Sequence, residues 1–201
     1  MFPFYIVYFS IINSTLSSYV YIRDTLRGET KPNRVSWFIW FLAPFIASII
    51  LFFEGGSWAA LPLFVSGFTS LLIFLASFKN KNAYWELGSL DYLCLFFAFC
   101  SLVAWLYFKQ GAVATLFAVL VDLIAFVPTY IKSWKFPDSE NLAPYMSGIF
   151  NSMLSLLTIA TFNFVNYGFA LYFLLGCVVE IIIVLYRRRN LLKYSYVKEK
   201  N

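Results

Sequence analysis

Two polar side chains lie deep inside apolar stretches of this sequence and are the first candidates for chemistry. Asp122 sits about halfway along one apolar segment, and Asn13 lies 109 residues upstream in a comparable place. A carboxylate at the centre of a bilayer costs roughly 3 kcal/mol on insertion scales, so it needs a reason to be there. Two interpretations stay open for Asp122: it handles a solute or a proton, or it ties helices together through neighbouring hydroxyls.

Further polar residues follow helical spacing. Ser10, Asn13 and Ser17 recur at three- and four-residue intervals, so one face of their helix is polar. Lipid cannot solvate such a face, which must point towards other helices or a water-filled cavity. For the serines, close helix packing is the alternative explanation. Similar reasoning selects further candidates for a solute site: Trp40, Ser66, Thr69, Asn151 and Ser155.

Pro44 and Pro128 are among the prolines that lie inside apolar segments. A proline within a helix frees a backbone carbonyl and can bend the helix. Membranes tolerate such breaks where neighbouring helices or cavity water satisfy the freed group. Both prolines are therefore candidates for gating.

Composition places the elements that hold these residues in lipid. Hydrophobic residues make up 61% of the 201 residues, and the mean hydropathy is +0.75. Charged residues make up 12%, which is about half the share of a soluble domain. A helix needs roughly 20 mostly apolar residues to cross a bilayer. The sequence predicts seven such helices, at about 3–22, 35–54, 57–79, 90–108, 111–132, 143–163 and 165–186.

The basic residues are distributed unequally between the connections. Fourteen of the fifteen follow the first, third or fifth segment or lie in the C-terminal tail, and Lys109 alone lies on the other side. Because such residues accumulate in cytoplasmic loops, we expect a cytoplasmic (inner) membrane protein with its N-terminus outside and its C-terminus in the cytoplasm. Nucleic-acid binding is the poorer explanation for the net charge of +5, since the basic residues are spread over four short segments.

The residues of most catalytic and metal sites are missing from the sequence. It has no histidine, and its cysteines, Cys94, Cys100 and Cys177, all lie in apolar segments. Neither a nucleophile motif nor a clustered pair of carboxylates stands out. We therefore expect no enzyme activity, no metal and no cofactor. The first segment lacks a basic n-region and a cleavage site, so we expect it to stay in the protein as a helix.

The chain also repeats itself weakly at the 109-residue offset. Asn13 falls on Asp122, and Gly67 falls on Gly176. The fourth segment has no counterpart and is predicted to be a linker that returns the chain across the bilayer. Internal repeats of this kind are typical of transporters. The predicted boundaries are 1–79 for the first three-helix repeat, 80–110 for the linker with the fourth helix, 111–187 for the second repeat and 188–201 for a basic cytoplasmic tail.

Two expectations concern the C-terminal end of the chain. The basic tail is expected to be disordered or associated with lipid. Glu180 lies less than two helical turns from Arg187, so its simplest explanation is that its carboxylate snorkels towards that charge.

The sequence resembles the PQ-loop family, and its order of three helices, one linker helix and three helices resembles the SWEET-type sugar carriers. The stretches that match are Val127-Pro128-Thr129-Tyr130-Ile131-Lys132-Ser133-Trp134, Asp138-Ser139-Glu140-Asn141-Leu142-Ala143-Pro144 and the looser copy Tyr21–Ser36. Where the family has its Pro-Gln pair, the second half has Pro128-Thr129 and the first half has Tyr19-Val20.

The resemblance implies an all-α membrane protein with seven transmembrane helices, arranged as two parallel three-helix bundles joined by a linker helix (3+1+3). It implies a carrier that moves a small polar solute, such as a sugar, an amino acid or a vitamin-like compound, by alternating access. Protons are a candidate coupling ion at Asp122. The alternative within the PQ-loop group is a membrane receptor or assembly partner that does not transport. The expected partners are the solute, the lipid bilayer and protons; a homo-oligomer is left open.

The predicted orientation can be tested by labelling single cysteines introduced into the connections. Ser57→Cys should react with a membrane-impermeant thiol reagent added outside, and Ser139→Cys should react only from the inside. Labelling in the reverse pattern would refute the orientation.

Overall fold

The computed structural model of the protein describes residues 4–53, 57–79, 88–108, 111–157 and 162–200. Within these ranges the chain forms seven α-helices and a short 3-10 turn at Pro137–Ser139, and no strand. The α-helices are α1 (Phe4–Arg27), α2 (Arg34–Phe53), α3 (Ser57–Lys79), α4 (Ser89–Tyr107), α5 (Gly111–Lys135), α6 (Ala143–Leu157) and α7 (Phe164–Lys200). The all-α prediction is confirmed.

Several features of the sequence lie outside the described residues. They are Lys81 and Lys109 of the charge count, the start of the first predicted segment at residue 3, the end of the second at residue 54, positions 158–161 of the sixth, positions 80–87 and 109–110 of the linker region, and residue 201 of the tail.

Three stretches within the described part of the chain are long and apolar enough to cross a membrane: Leu61–Lys79, Thr115–Lys135 and Asn166–Lys193. Large apolar side chains are also exposed on the surface of the helices. Leu16, Phe96 and Ile182, for example, are 62%, 60% and 59% exposed. A soluble monomer rarely exposes apolar surface on this scale. These observations indicate a membrane protein.

Three of the helices, α1, α5 and α7, end further along the chain than hydropathy predicts. α1 continues past Ile22 to Arg27, and α5 continues to Lys135, so both have basic residues in their last turn, where they interact favourably with the helix dipole. α7 continues without a break to Lys200. The expectation of a disordered tail is therefore wrong. Residues 187–200 contain no Gly or Pro and many Arg, Leu and Lys, which favour a helix.

The order of helices is similar in the two halves of the chain. α3 packs against both α1 and α2, and α7 packs against both α5 and α6. The halves meet where α1 packs against α6 and where α2 packs against α5. α4 packs against α5 and, to a smaller extent, α2. If the two halves are exchanged, α1 takes the place of α5 and α2 takes the place of α6. The α1–α6 contact then becomes the α5–α2 contact, so the two contacts between the halves are equivalent.

Hydroxyl groups join α2 to α5 at one of these contacts. Ser36 Oγ donates a hydrogen bond to the carbonyl of Ala125 over 2.6 Å, and Thr129 Oγ1 donates to Ser36 Oγ over 2.8 Å. All three residues are buried. A hydroxyl that is cut off from water needs such a partner, so the two halves are held in a fixed register at this point.

The side chain of Asn33 connects α2 with the start of α4. Its Oδ1 atom accepts a hydrogen bond from the backbone N–H of Ser36 at 3.1 Å and thereby caps α2. Its amide nitrogen donates to Asp91 Oδ1 over 2.9 Å. Asp91 in turn accepts from the backbone N–H of Gly88 at 2.8 Å. The linker helix is thus attached to the first half through buried polar groups.

Gly67 lets the backbone of α3 approach that of α2. A Cβ atom at this position would lie 3.0 Å from the backbone nitrogen of Phe45 and 3.1 Å from the carbonyl oxygen of Phe41. Small residues are enriched at such contacts between membrane helices. At Gly176 a Cβ would instead approach the side chains of Phe126 and Tyr130 on α5. The two glycines matched by the repeat therefore face different neighbours.

Gly67→Ala should destabilise the protein by about 1–3 kcal/mol, because the added methyl group meets the backbone of α2, which cannot move aside. Thermal unfolding of the purified protein in detergent would measure the change. At the control position Gly88, an added Cβ would meet nothing closer than Asp91 Oδ2 at 3.7 Å, so Gly88→Ala should cost much less. Equal effects of the two substitutions would contradict the close approach.

Candidate functional site

A cavity of about 520 Å³ lies between α1, α2, α3, α5, α6 and α7. Its size is within the range of small-molecule sites. Among the lining residues that the structure describes, nine serines and one threonine contribute hydroxyl groups, and Asp122 is the only acidic or basic residue. Six aromatic residues complete much of the apolar wall: Trp37, Trp40, Phe126, Tyr145, Phe169 and Phe173.

Most of the residues selected from the sequence line this cavity. They are Trp40, Ser66, Thr69, Asp122, Asn151 and Ser155, together with Pro44. Asn13 and Pro128 are not among the lining residues. Pro128 is buried within α5, next to the Thr129 hydroxyl that bonds to α2. Lipid offers no hydrogen bonds to these polar groups, so the helices turn them towards the space between the halves.

Asn13 joins α1 to α6 instead of facing the cavity. Its amide nitrogen donates hydrogen bonds to Ser147 Oγ at 2.9 Å and to Asn151 Oδ1 at 3.1 Å. The amide nitrogen of Asn151 donates back to Ser14 Oγ at 2.8 Å. These bonds form a polar connection between the halves, opposite in the fold to the Ser36–Thr129 connection.

The carboxyl group of Asp122 has a different environment. The residue is 9% exposed, and its Oδ2 atom has no hydrogen-bond partner in the part of the protein that the structure describes. Trp40 and Tyr172 are the side chains that interact with this carboxyl group. Within the described residues, the indole N–H of Trp40 and the hydroxyl of Tyr172 are also buried without a hydrogen-bond partner. One acceptor and two donors are therefore left unsatisfied beside the cavity.

A buried ion pair closes one end of the cavity. The ammonium group of Lys132 contacts Glu140 Oε2, and both side chains are fully buried. Glu140 Oε1 accepts hydrogen bonds from Tyr21 at 2.7 Å and from Tyr145 at 3.1 Å. Lys132 also donates to the carbonyl of Lys31 at 2.6 Å. The carboxylate and the ammonium therefore have partners in both halves of the chain. We call these five residues the closing cluster.

The closing cluster is continuous with the cavity wall. Tyr145 belongs to both, and Trp37, which lines the cavity, donates from its indole nitrogen to Tyr21 at 3.3 Å. The connection after α1 also bonds to the 3-10 turn, because the backbone N–H of Lys31 donates to the carbonyl of Ser139 at 2.8 Å. The cavity is thus sealed at the end where the connections 28–33 and 136–142 meet.

Glu180 does not reach towards Arg187, so the snorkelling interpretation is wrong. Its side chain is fully buried and accepts a hydrogen bond from Ser133 on α5. Arg187 instead donates to the carbonyl of Trp134 at 2.8 Å, with its guanidinium 5.0 Å from that indole ring. The Glu180 carboxylate bonds to the Ser133 hydroxyl inside the helix bundle and does not extend to the membrane surface.

The closing cluster was not predicted from the sequence. Lys132 and Glu140 both look like residues of a solvated cytoplasmic turn, and the charge count treats Lys132 in that way. One feature was available: the segment Lys132–Glu140 places opposite charges on both sides of a short turn that contains Pro137. That pattern does not indicate that the turn folds back under Tyr21 of the other half.

Comparison of the chain with protein-family models, with curated proteins and with solved structures gave no match in any of the three. Among the residues that the structure describes, no group of three His, Cys, Asp or Glu side chains could hold a metal ion. The arrangement of the site itself is therefore the basis for its interpretation. It offers one carboxyl group, many hydroxyls and several aromatic faces around a space for a small molecule.

Lys132→Met should destabilise the protein by about 3–5 kcal/mol, because it leaves the Glu140 carboxylate buried without its counter-charge. Unfolding followed by circular dichroism in detergent micelles would measure the loss. The double substitution Lys132→Met, Glu140→Gln should restore most of it. Lys135→Met removes an exposed lysine of the same helix and should change stability by less than about 0.5 kcal/mol. Equal effects of the two lysine substitutions would contradict the buried pair.

Proposed function

We propose that the chain is a membrane carrier that moves a small polar solute by alternating access. The observation that supports it most is the cavity: it lies between the two halves, it has polar groups in its wall, and it is sealed at one end by residues of both halves. Carriers built from repeats bind their solute at such an interface and expose it to each side in turn by moving one half against the other.

The helix contacts support a 3+1+3 arrangement of seven membrane-spanning helices. In the first half α3 lies between α1 and α2, and in the second half α7 lies between α5 and α6. α4 then acts as the linker that returns the chain, so that both bundles run in the same direction. This order agrees with the resemblance of the sequence to the PQ-loop and SWEET-type carriers.

The distribution of basic residues gives the proposed orientation. The sealed end of the cavity carries the connections 28–33 and 136–142, which belong to the side with most of the Lys and Arg residues. By the positive-inside rule, that side of the protein faces the cytoplasm, and the N-terminus of the protein lies outside. The conformation described is then closed to the cytoplasm, and opening it requires Glu140 to separate from Tyr21 and Lys132 to separate from the carbonyl of Lys31.

Pro44 and Pro128 lie at positions where α2 and α5 would bend during such a movement. Pro44 lies in the cavity wall on α2, and Pro128 precedes the Thr129 contact between the halves on α5. Each removes a backbone N–H from its helix and weakens it locally. We assign both to the gating movement.

Asp122 is the residue that we assign to proton coupling. Its carboxyl group faces Trp40 and Tyr172, and Tyr130 and Cys177 are the other titratable groups that it influences. None of these side chains carries a positive charge that could neutralise a buried carboxylate. A carboxyl group in this position needs a proton or another cation from outside the protein to offset its charge.

A thermal-shift screen of sugars, amino acids and vitamins, followed by uptake of each stabilising compound into proteoliposomes, tests the proposal. Uptake should depend on the pH gradient imposed across the membrane. Asp122→Asn should remove that dependence, because an amide side chain does not take up or release a proton at the pH values of such an experiment. Asp138→Asn, on the exposed 3-10 turn, should keep it.

A compound that stabilises the protein but is never taken up would favour the receptor or assembly partner. Transport that keeps its pH dependence in the Asp122→Asn variant would remove Asp122 from the mechanism without excluding a carrier.

A further inference from the structure

We infer that the cavity binds an organic cation, in which an amine or quaternary ammonium group contacts Asp122 and a flat apolar group contacts the aromatic wall. This inference rests on the proposed carrier function for its biological meaning, and it names the class of solute. It depends on three properties of the cavity: its charge, its unsatisfied polar atoms and its aromatic faces.

The charge of the cavity has one sign. Among the lining residues that the structure describes, Asp122 is the only one with an acidic or basic side chain, and no Lys or Arg is among them. An anionic solute would enter without a positive partner and would face the Asp122 carboxyl group at close range. A positive charge would instead compensate the carboxylate. The wall therefore discriminates in favour of cations and against anions.

Asp122 has a buried acceptor atom to which such a cation bonds once the side chains of Trp40 and Tyr172 beside it move. Its Oδ2 atom has no hydrogen-bond partner within the described residues, although it is nearly fully buried. Two oxygens of a carboxylate provide about four acceptor positions. Even if Trp40 and Tyr172 each donate one hydrogen bond after a small movement, acceptor positions remain for an ammonium group. A buried acceptor without a partner is a place where a donor on the solute gains most.

Aromatic rings line the same cavity as the carboxyl group. The Trp40 ring lies 4.8 Å from the ring of Phe126 and 5.1 Å from that of Trp37, in edge-to-face arrangements. All three rings line the cavity. Aromatic faces attract cations, tryptophan most strongly, and they also accept flat apolar groups.

The same charge explains how a proton and the cation can be coupled. Asp122 needs one positive charge in the closed protein, and either a proton or the ammonium group of the solute can supply it. Binding of the cation then releases the proton, and release of the cation requires a proton to replace it. The carrier would therefore exchange the organic cation for a proton.

Three probes of the same shape and different charge test the inference: 2-phenylethylammonium, 2-phenylethanol and 3-phenylpropionate. Their binding to the full-length protein in detergent micelles is measured by calorimetry, with titrations into empty micelles subtracted. The cation should bind at least about tenfold more tightly than the neutral alcohol, which corresponds to one hydrogen bond to a charged group, and the anion should bind least.

Substitutions at Asp122 connect this preference to the carboxyl group. Asp122→Asn has nearly the same shape without the charge and should weaken binding of 2-phenylethylammonium by about 10- to 100-fold while leaving 2-phenylethanol almost unchanged. Asp122→Glu keeps the charge and should keep the preference, which covers the case in which the Asn variant does not fold. Asp138→Asn, the same chemical change on an exposed turn, should behave like the unsubstituted protein.

The results separate this inference from the carrier function. Equal binding of the alcohol and the cation, a preference that survives in Asp122→Asn, or no binding of any probe would overturn the cation site, whereas uptake of another solute would still support a carrier. Preferential binding of the cation without its uptake into proteoliposomes would support the site and contradict the carrier.

Discussion

The burial of two opposite charges at Lys132 and Glu140 is the interaction on which the closed end of the protein depends. Removing a charged group from water costs several kcal/mol, and only a partner with good geometry and further hydrogen bonds offsets that cost. Here the partners are Tyr21 and Tyr145 for the carboxylate and the Lys31 carbonyl for the ammonium. Because they come from both halves, the pair is stable only when the halves are in contact. In the proposed carrier, separating the halves must let water reach both charges, so partly open arrangements are unfavourable.

The positions of the helices and the ends of α2, α3 and α4 could be predicted from the sequence, but the ends of α1, α5 and α7 could not. Runs of about 20 apolar residues identify helices because that length matches a bilayer. A hydropathy profile detects only the apolar part of a helix. The helix itself continues until its backbone groups lose their hydrogen-bond partners or the chain reaches Gly or Pro. α1 therefore continues to Arg27, where Gly28 follows with a positive φ of 80°. α7 meets neither residue after Arg187 and continues to Lys200. Which helices contact each other depends on side-chain packing that no single segment contains.

The candidate site was predicted in part, for a reason that also explains the errors. A polar residue in the middle of an apolar helix must point inward, so spacing alone selects residues such as Asp122 and Thr69. Inward can mean a cavity or a neighbouring helix, and the sequence does not distinguish the two. Asn13 and Asp122 occupy the same position in the repeat, yet Asn13 bonds to Ser147 and Asn151 while Asp122 lines the cavity. The closing cluster was missed because its residues lie in turns, where charge normally indicates contact with water.

The difference between these two mid-depth residues separates structure from function. The amide nitrogen of Asn13 donates to Ser147 and Asn151, and this interaction with α6 has the form of a contact that holds helices together. Asp122, Trp40 and Tyr172 leave an acceptor and two donors incomplete in the same place. A carboxylate has about four acceptor positions, more than Trp40 and Tyr172 can fill, so this site gains from a further donor supplied by something else. A ligand that supplies both a donor and an apolar face would complete this site, and it would do so where the two halves must later move apart.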